Sequence, residues 1–487
     1  MKLGELLAKA GLSGGGDEVV TGFAIDHRKV APGTIFGAFQ GATVNGEDFI
    51  PAALEAGAIA VVARPEARVE GALHLTDVNP RRAFARLAAD FFSPYPATIV
   101  AVTGTNGKTS TVEMTRQIWR MAGERAASIG TLGVTTPDGS VSTGLTTPDI
   151  VTFLANMAGL AREGVSHVAY EASSHGLDQY RGEGPKVSAA AFTNFSRDHL
   201  DYHGTMEAYF AAKMRLFTEV VVPGSPVVIH DAGDGSEWTA KAVEQAQAHG
   251  LKVLRVGEGG AFLRLIAREP GQLGQALQIE HEGAVRKVNL PLIGAYQAAN
   301  ALVAAGLALA TGVPASATFD ALTRLQPVRG RLERAALNPS GAPAYVDYAH
   351  TPDALEAAIA ALRPHVAPGG KLIVVFGAGG DRDVGKRPQM GEVAARAADI
   401  AIVTDDNPRS EDPAAIRAAI MAGAGPNTRE VAGRREAIAA AIGEAGARDI
   451  VLIAGKGHEQ GQIFGSGENM RIEAFDDVEV ARECAGG

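Results

Sequence analysis

The chain has 487 residues, and at roughly 150 residues per domain that length gives a prior of about three domains, each able to bury its own core. The formal charge of −10, from 45 Lys and Arg against 55 Asp and Glu, argues against a general surface for nucleic acid or anionic membrane, so any phosphate binding is local. The single cysteine, Cys484, excludes a disulfide framework or a cysteine metal site within one chain and fits a reducing compartment.

The first sixteen residues, MKLGELLAKAGLSGGG, carry Glu5 inside their apolar stretch and do not read as a signal peptide, so a cytoplasmic protein is expected. Ser93-Pro94-Tyr95-Pro96 suits neither a helix nor a central strand, and a second break lies near Gln326 to Arg331. The expected domains are therefore 1–96, 97–328 and 329–487. In the middle one, β-rich runs at Thr98 to Val102, His167 to Tyr170 and Ala189 to Phe192 alternate with longer helix-period stretches, the pattern of a parallel sheet covered by helices. The last one repeats this at Lys371 to Phe376, Asp399 to Thr404 and Asp449 to Ala454. Such sheets hold ligands beyond the carboxyl ends of their strands, where polar or Gly-rich clusters follow each of these runs. Val288 to Phe319 has no charged residue, but Asn289, Gln297, Asn300, Thr311 and Pro314 interrupt it, which predicts a buried helix and no membrane insertion.

Thr103-Gly104-Thr105-Asn106-Gly107-Lys108-Thr109-Ser110 follows a strand and opens a helix, and it reads as a phosphate cradle. Its glycines let backbone N–H groups close around oxygens, the helix N-terminus adds positive potential, Lys108 reaches the outer phosphates, and the Thr109 hydroxyl can hold Mg²⁺. Val102 stands where a strict phosphate-loop pattern has its first glycine. Mg²⁺ prefers oxygen donors, and Glu171 is placed for that at a neighbouring strand end. On local grounds alone, His199 reads as a turn residue and Lys213, on an amphipathic stretch from Met206 to Phe217, as a solvated lysine.

These residues, together with Glu171-Ala172-Ser173-Ser174-His175-Gly176, Ser196 to Gly204, Asp347-Tyr348-Ala349-His350-Thr351-Pro352 and Asp405-Asp406-Asn407-Pro408-Arg409, occur in the order and spacing of the Mur ligases, and the chain resembles that family over nearly its whole length. The resemblance implies an α/β fold of three domains: a small N-terminal α/β domain, a central mostly parallel phosphate-loop domain with helices on both faces, and a C-terminal Rossmann-like domain. It implies ATP-driven amide formation, in which a carboxylate of UDP-MurNAc-L-Ala-D-Glu takes the γ-phosphate of ATP and the resulting acyl phosphate is captured by an amine, here meso-diaminopimelate.

Carried over by position, Gly104, Thr105, Asn106, Gly107, Lys108, Thr109 and Ser110 hold the phosphates, and Asn300, Arg331, Asp347 and His350 the rest of the nucleotide. Thr109, Glu171 and His199 become Mg²⁺ ligands, and Lys213 matches a carbamylated lysine (N6-carboxylysine) beside a second ion; Lys108, Lys213 and His199 are the implied catalytic set. Ile25, His27, Ala42, Thr43, Val44, Thr146, Thr147, Ser173, Gln179 and Arg181 would grip the UDP-linked peptide. Arg382, Asp406, Asn407, Pro408, Arg409, Gly455 and Glu459 would form the diaminopimelate pocket, with the arginines on the distal carboxylate and Glu459 on the distal ammonium. Two departures stand out: Gln297 replaces the first Asn of the family's G-x-F/H-N-x-x-N pattern, and His27 stands where Ser is common. The rival readings are a lysine-adding sister ligase, a folylpolyglutamate synthetase and a non-enzymatic phosphate-loop switch. The partners expected are small molecules only, and the protein is expected to be a monomer.

Overall fold

The structure is a computed structural model and describes residues 1–41, 44–141 and 145–486. Ala42 and Thr43, expected at the uridine, lie outside the described residues. The chain divides into two compact units, Met1–Leu263 with Leu302–Thr318, and Arg264–Ala301 with Phe319–Gly487.

The first unit opens with the helix Leu3–Lys9, whose apolar residues Leu3, Leu6 and Leu7 are buried in the core. Four parallel strands follow, in the order Gly22–Ala24, Thr34–Gly37, Ala58–Ala63 and Leu73–Thr76. The helix Pro80–Phe92 packs Phe84 and Leu87 into the same core and ends at Ser93, where Pro94 and Pro96 prevent continuation.

The larger sheet of this unit runs Lys252–Gly257, Pro226–His230, Ala189–Phe192, Thr98–Thr103, His167–Glu171 and Ala126–Gly130, all parallel, before an antiparallel ribbon of Gly133–Thr135 and Ser140–Val141. The strands are buried on both faces, as parallel strands covered by helices must be, so they read as apolar runs. Chain order reverses around Thr98–Thr103, whose neighbours are His167–Glu171 and Ala189–Phe192. Three polar loops therefore leave one sheet edge side by side.

The second unit contains an antiparallel meander, Gly274–His281 pairing on one side with Leu263–Gly271 and on the other with Ala284–Leu290. Its main sheet runs Glu333–Leu337, Pro343–Asp347, Ile450–Ala454, Leu372–Phe376, Ile400–Val403 and Thr428–Glu430, parallel except for the first pair. A hairpin of Gly461–Phe464 and Arg471–Ala474 follows. The uncharged stretch contains the buried helix Ala295–Ala310, and among the described residues no helix is long and apolar enough to cross a membrane.

Candidate active site

In the first unit, the loop after Thr103 is shaped by two left-handed glycines, Gly104 at φ 141° and Gly107 at φ 84°. A Cβ on Gly104 would run into the Thr193 hydroxyl, so only glycine lets the loop lie on the neighbouring strand end. The loop is held from that side: Thr105 N donates to the Asn194 carbonyl (2.9 Å), Asn106 N to Asn194 Oδ1 (2.9 Å), and the Thr193 hydroxyl to the Asn106 carbonyl (2.6 Å). The helix Lys108–Met121 then begins, with Thr109 and Ser110 in its first turn. Lys108 Nζ donates to the carbonyls of Gly104 (3.1 Å) and Thr105 (2.8 Å), which curls the side chain over the loop.

Glu171 is buried at the end of its strand. Its Oε1 accepts from the Thr109 hydroxyl at 2.9 Å and from Thr131 N at 2.7 Å. A hydroxyl and a carboxylate beside the phosphate loop are the hard oxygen donors that Mg²⁺ prefers.

Lys213 is 1% exposed, the reverse of the solvated face that helix periodicity alone predicts, because Tyr209, Phe210, Ala212 and Met214 are buried around the same helix. Its Nζ donates to the Gly104 carbonyl at 2.6 Å and lies 4.4 Å from the centre of the Tyr209 ring. Burial, reinforced by Lys108, lowers its pKa to about 6. His199 has φ 50° and is exposed, its ring 6.0 Å from Tyr209 and 4.9 Å from His175. Burial and the neighbouring His199 and His203 lower the pKa of His175.

The next cluster joins four of the residues expected to hold the UDP-linked peptide. Thr147 Oγ1 donates to the Glu171 carbonyl (2.8 Å) and lies 2.9 Å from Ser173 Oγ. Arg181 donates to the Thr147 carbonyl (2.9 Å) and twice to Gln179 Oε1 (3.1 and 2.7 Å). Thr146 lies 3.1 Å from the Thr131 hydroxyl. A cavity of about 620 Å³ is lined by Ile25, His27, Phe39, Val44, Arg81 and Asp149, among others. His27 stacks face to face on Phe49 at 4.5 Å, presenting a flat aromatic slab where Ser is common in the family. Arg81 was not predicted, since nothing in its own sequence neighbourhood marks it. Burial lowers its pKa, and Arg181 contributes to the same lowering.

The second unit gathers the remaining nucleotide positions. Asp347 is buried, its Oδ2 accepting from Leu332 N (2.8 Å) and its Oδ1 from Ala349 N (2.9 Å), and burial raises its pKa. The Arg331 guanidinium lies 5.2 Å from the Tyr348 ring, and the His350 ring 4.6 Å from it. Gln297 accepts from Asn300 Nδ2 (3.3 Å) and donates to the Arg331 carbonyl (2.9 Å), so the longer amide ties these two positions together.

The expected amine pocket lies at neighbouring strand ends of the same sheet. Arg409, with φ 51°, donates to the Gly380 carbonyl (2.8 Å). A Cβ on Gly379 would meet Arg409 at 2.8 Å and Arg382 at 3.7 Å, so both arginines border one glycine turn, Arg382 being exposed. Asp406, Asn407 and Pro408 are buried, and Asn407 Nδ2 donates to Glu459 Oε2 (2.9 Å). Gly455 leads from the strand into this cluster, where a Cβ would approach Asp406 Oδ2 at 2.8 Å. Lys456, also not predicted, is fully buried and donates to Asn407 Oδ1 (2.8 Å), with Asp406 at 3.5 Å and Glu459 at 3.6 Å. Two of its three partners, Asn407 and Asp406, lie 49 and 50 residues away in sequence, so its place in the cluster comes from the fold.

Comparison with known proteins gives the same order of domains. Residues 19–92 match the Mur ligase family catalytic domain, 102–308 the Mur ligase middle domain, and 330–457 the Mur ligase glutamate ligase domain. The chain is 59% identical over 484 residues to the UDP-N-acetylmuramoyl-L-alanyl-D-glutamate--2,6-diaminopimelate ligase of Zymomonas mobilis, covering 99% of this chain and 98% of that protein. It is 51% identical over 471 residues to the enzyme of the same name from Caulobacter vibrioides, covering 95% and 94%. A solved structure of a UDP-N-acetylmuramoyl-L-alanyl-D-glutamate--2,6-diaminopimelate ligase superposes with a TM-score of 0.74 at 33% identity, covering 96% of this chain and 94% of that one. With a glycine-shaped phosphate loop, a buried carboxylate beside it and three matching domains in order, the chain belongs to the Mur ligase family of ATP-dependent amide-forming ligases.

Proposed function

We propose that the protein joins meso-diaminopimelate to the D-glutamyl carboxylate of UDP-MurNAc-L-Ala-D-Glu with cleavage of ATP to ADP and phosphate, a step in building cell-wall peptide precursors in the cytoplasm. The observation that carries this reading is the set of opposite charges at the second unit's strand ends: Arg409 and Arg382 around Gly379, and Glu459 held by Asn407. Such a pocket suits an amine that bears both a carboxylate and a second ammonium. The names of the closely similar proteins support the same substrate set.

The substrate carboxylate attacks the γ-phosphorus and ADP leaves; the amine then adds to the acyl carbon, loses a proton, and phosphate departs. No protein nucleophile is required, so the chain's contribution is positioning and charge neutralisation, of which positioning alone is worth up to roughly 7–11 kcal/mol. Backbone N–H groups of the loop and the Lys108 ammonium meet the phosphates. Thr147, Ser173, Gln179 and Arg181 orient the peptide carboxylate. Thr109 and Glu171 would hold Mg²⁺, which when bound neutralises charge on the transferring phosphoryl group.

Lys213 and His199 border the same Tyr209 ring; His199 would join Thr109 and Glu171 as an Mg²⁺ ligand, and Lys213, as a carbamate, would stand beside a second ion. For Lys213 to serve there, its neutral amine attacks CO₂, forming an N–C bond and releasing one proton, which turns a neutral amine into a carbamate anion. The lowered pKa supports this, because only the unprotonated amine is nucleophilic.

A coupled ADP-release assay with UDP-MurNAc-L-Ala-D-Glu, offered meso-diaminopimelate and L-lysine in turn, tests the assignment. Turnover with meso-diaminopimelate alone is expected. Equal use of L-lysine would overturn the amine assignment, and ADP release independent of both substrates would favour a nucleotide switch.

A further inference from the structure

The short helix Ser174–Asp178 ends in a pair of hydrogen bonds, Arg181 N to the Gly176 carbonyl (2.8 Å) and Tyr180 N to the Leu177 carbonyl (3.2 Å). This is the six-to-one and five-to-two pattern of a Schellman stop, whose left-handed position glycine ordinarily occupies. Here the position holds Tyr180 at φ 57°. A bulky residue keeps that conformation only where its surroundings impose it, and such positions concentrate at functional sites.

The surroundings are specific. The Arg215 guanidinium lies 4.0 Å from the Tyr180 ring centre and that of Arg82 5.7 Å away. Both arginines are fixed by ion pairs, Arg82 to Glu183 (3.1 Å) and Glu219 (3.3 Å), and Arg215 to Glu219 (2.9 Å). Asn79 Nδ2 donates to the Tyr180 hydroxyl. Asn79 caps the helix Pro80–Phe92, and Arg81 on its first turn lines the large cavity while Arg82 faces the tyrosine.

We propose that Tyr180 is a positioning residue for the UDP-linked peptide, a claim that rests on the function proposed above. Pinned by Asn79, Arg82 and Arg215, it fixes the turn that carries Gln179 and Arg181, and so sets their side chains relative to the cavity lined by Arg81. Energy held in the left-handed tyrosine is exchanged for a preset Arg181 fork on Gln179 and the Thr147 carbonyl.

Steady-state kinetics of the full chain with all three substrates test this. Tyr180→Gly suits the backbone and removes the clamp, so it should raise the KM for UDP-MurNAc-L-Ala-D-Glu at least about tenfold while the KM values for ATP and the amine stay within about twofold. Asn79→Ala and Tyr180→Phe both delete that hydrogen bond, Asn79→Ala also removing the cap of the helix Pro80–Phe92, so each should raise that KM by a smaller factor and the double variant by no more than Asn79→Ala alone. These two carry the test if the glycine variant fails to fold. An unchanged peptide KM in Tyr180→Gly, a parallel rise for all three substrates, or additive effects in the pair would overturn the proposal while leaving the function intact. An unaltered chain that releases no ADP with the UDP-linked peptide would instead overturn the functional reading, and this proposal with it.

Discussion

Lys213 Nζ donates to the Gly104 carbonyl at 2.6 Å, tying a buried amine to the first glycine of the phosphate loop. The contact joins two residues 109 positions apart, and it explains why the lysine is placed beside Lys108 in spite of the like charge. Desolvation and that neighbour bring its pKa to about 6, so near neutral pH most of the population is an unprotonated amine able to take up CO₂.

Lys213→Ala should therefore lower turnover by about 10²–10³-fold, the range seen when one preorganised charge-stabilising group is removed. The unaltered protein should lose activity in CO₂-depleted buffer and regain it with bicarbonate, and carbon-13 NMR with labelled bicarbonate should show a carbamate. Full, bicarbonate-independent activity of the alanine variant would refute the carbamate.

Glu171 is the other half of the charge arrangement. Its Oε1 accepts from Thr109 and from Thr131 N, so Glu171→Gln keeps the shape of the site and removes the charge. Mg²⁺ titration of ADP release should shift to at least about tenfold higher concentration in the variant. An unshifted titration would remove Glu171 from the ion's coordination.

At the proposed amine pocket, Arg409→Ala should cost about 2–4 kcal/mol in kcat/KM for meso-diaminopimelate, the scale for leaving a desolvated carboxylate without its partner. L-Lysine lacks that carboxylate, so its residual turnover should be unaffected or slightly improved. Equal losses for both amines would mean that Arg409 shapes the turn at Gly380 without reading the substrate.

What was legible in the sequence follows the range of the interactions concerned. The phosphate loop is local: a strand, two glycines and a helix start lie within a dozen residues, and strand ends carrying polar clusters mark the ligand edge of each parallel sheet. Lys213 misleads because helix periodicity cannot see a second layer packed over the face it assigns to solvent. Lys456, Arg81 and Tyr180 are silent for a related reason. Their roles come from partners 49 residues away for Lys456 and Asn407, and 101 for Asn79 and Tyr180, which only the fold brings together. Gln297 could be noticed as a departure, yet its function as a bridge from Asn300 to the Arg331 carbonyl depends on that same closure.

His365 provides a pH dependence that belongs to the fold of the second unit and is separate from catalysis. Its Nε2 accepts from Gly294 N at 2.9 Å, which fixes the neutral tautomer with the proton on Nδ1, and Nδ1 donates to the Gly271 carbonyl at 2.7 Å. Burial lowers its pKa below the ordinary 6.5. Protonating Nε2 would set one N–H against another, so between the folded and unfolded pKa values the unfolded chain binds more protons. Stability should therefore be independent of this group above about pH 6.5 and fall as pH drops below it. His365→Gln offers an acceptor to Gly294 and does not titrate. Urea unfolding at pH 8 and pH 5 should show a smaller acid loss for the variant than for the unaltered protein, and an identical loss in both would show that the acid sensitivity arises elsewhere.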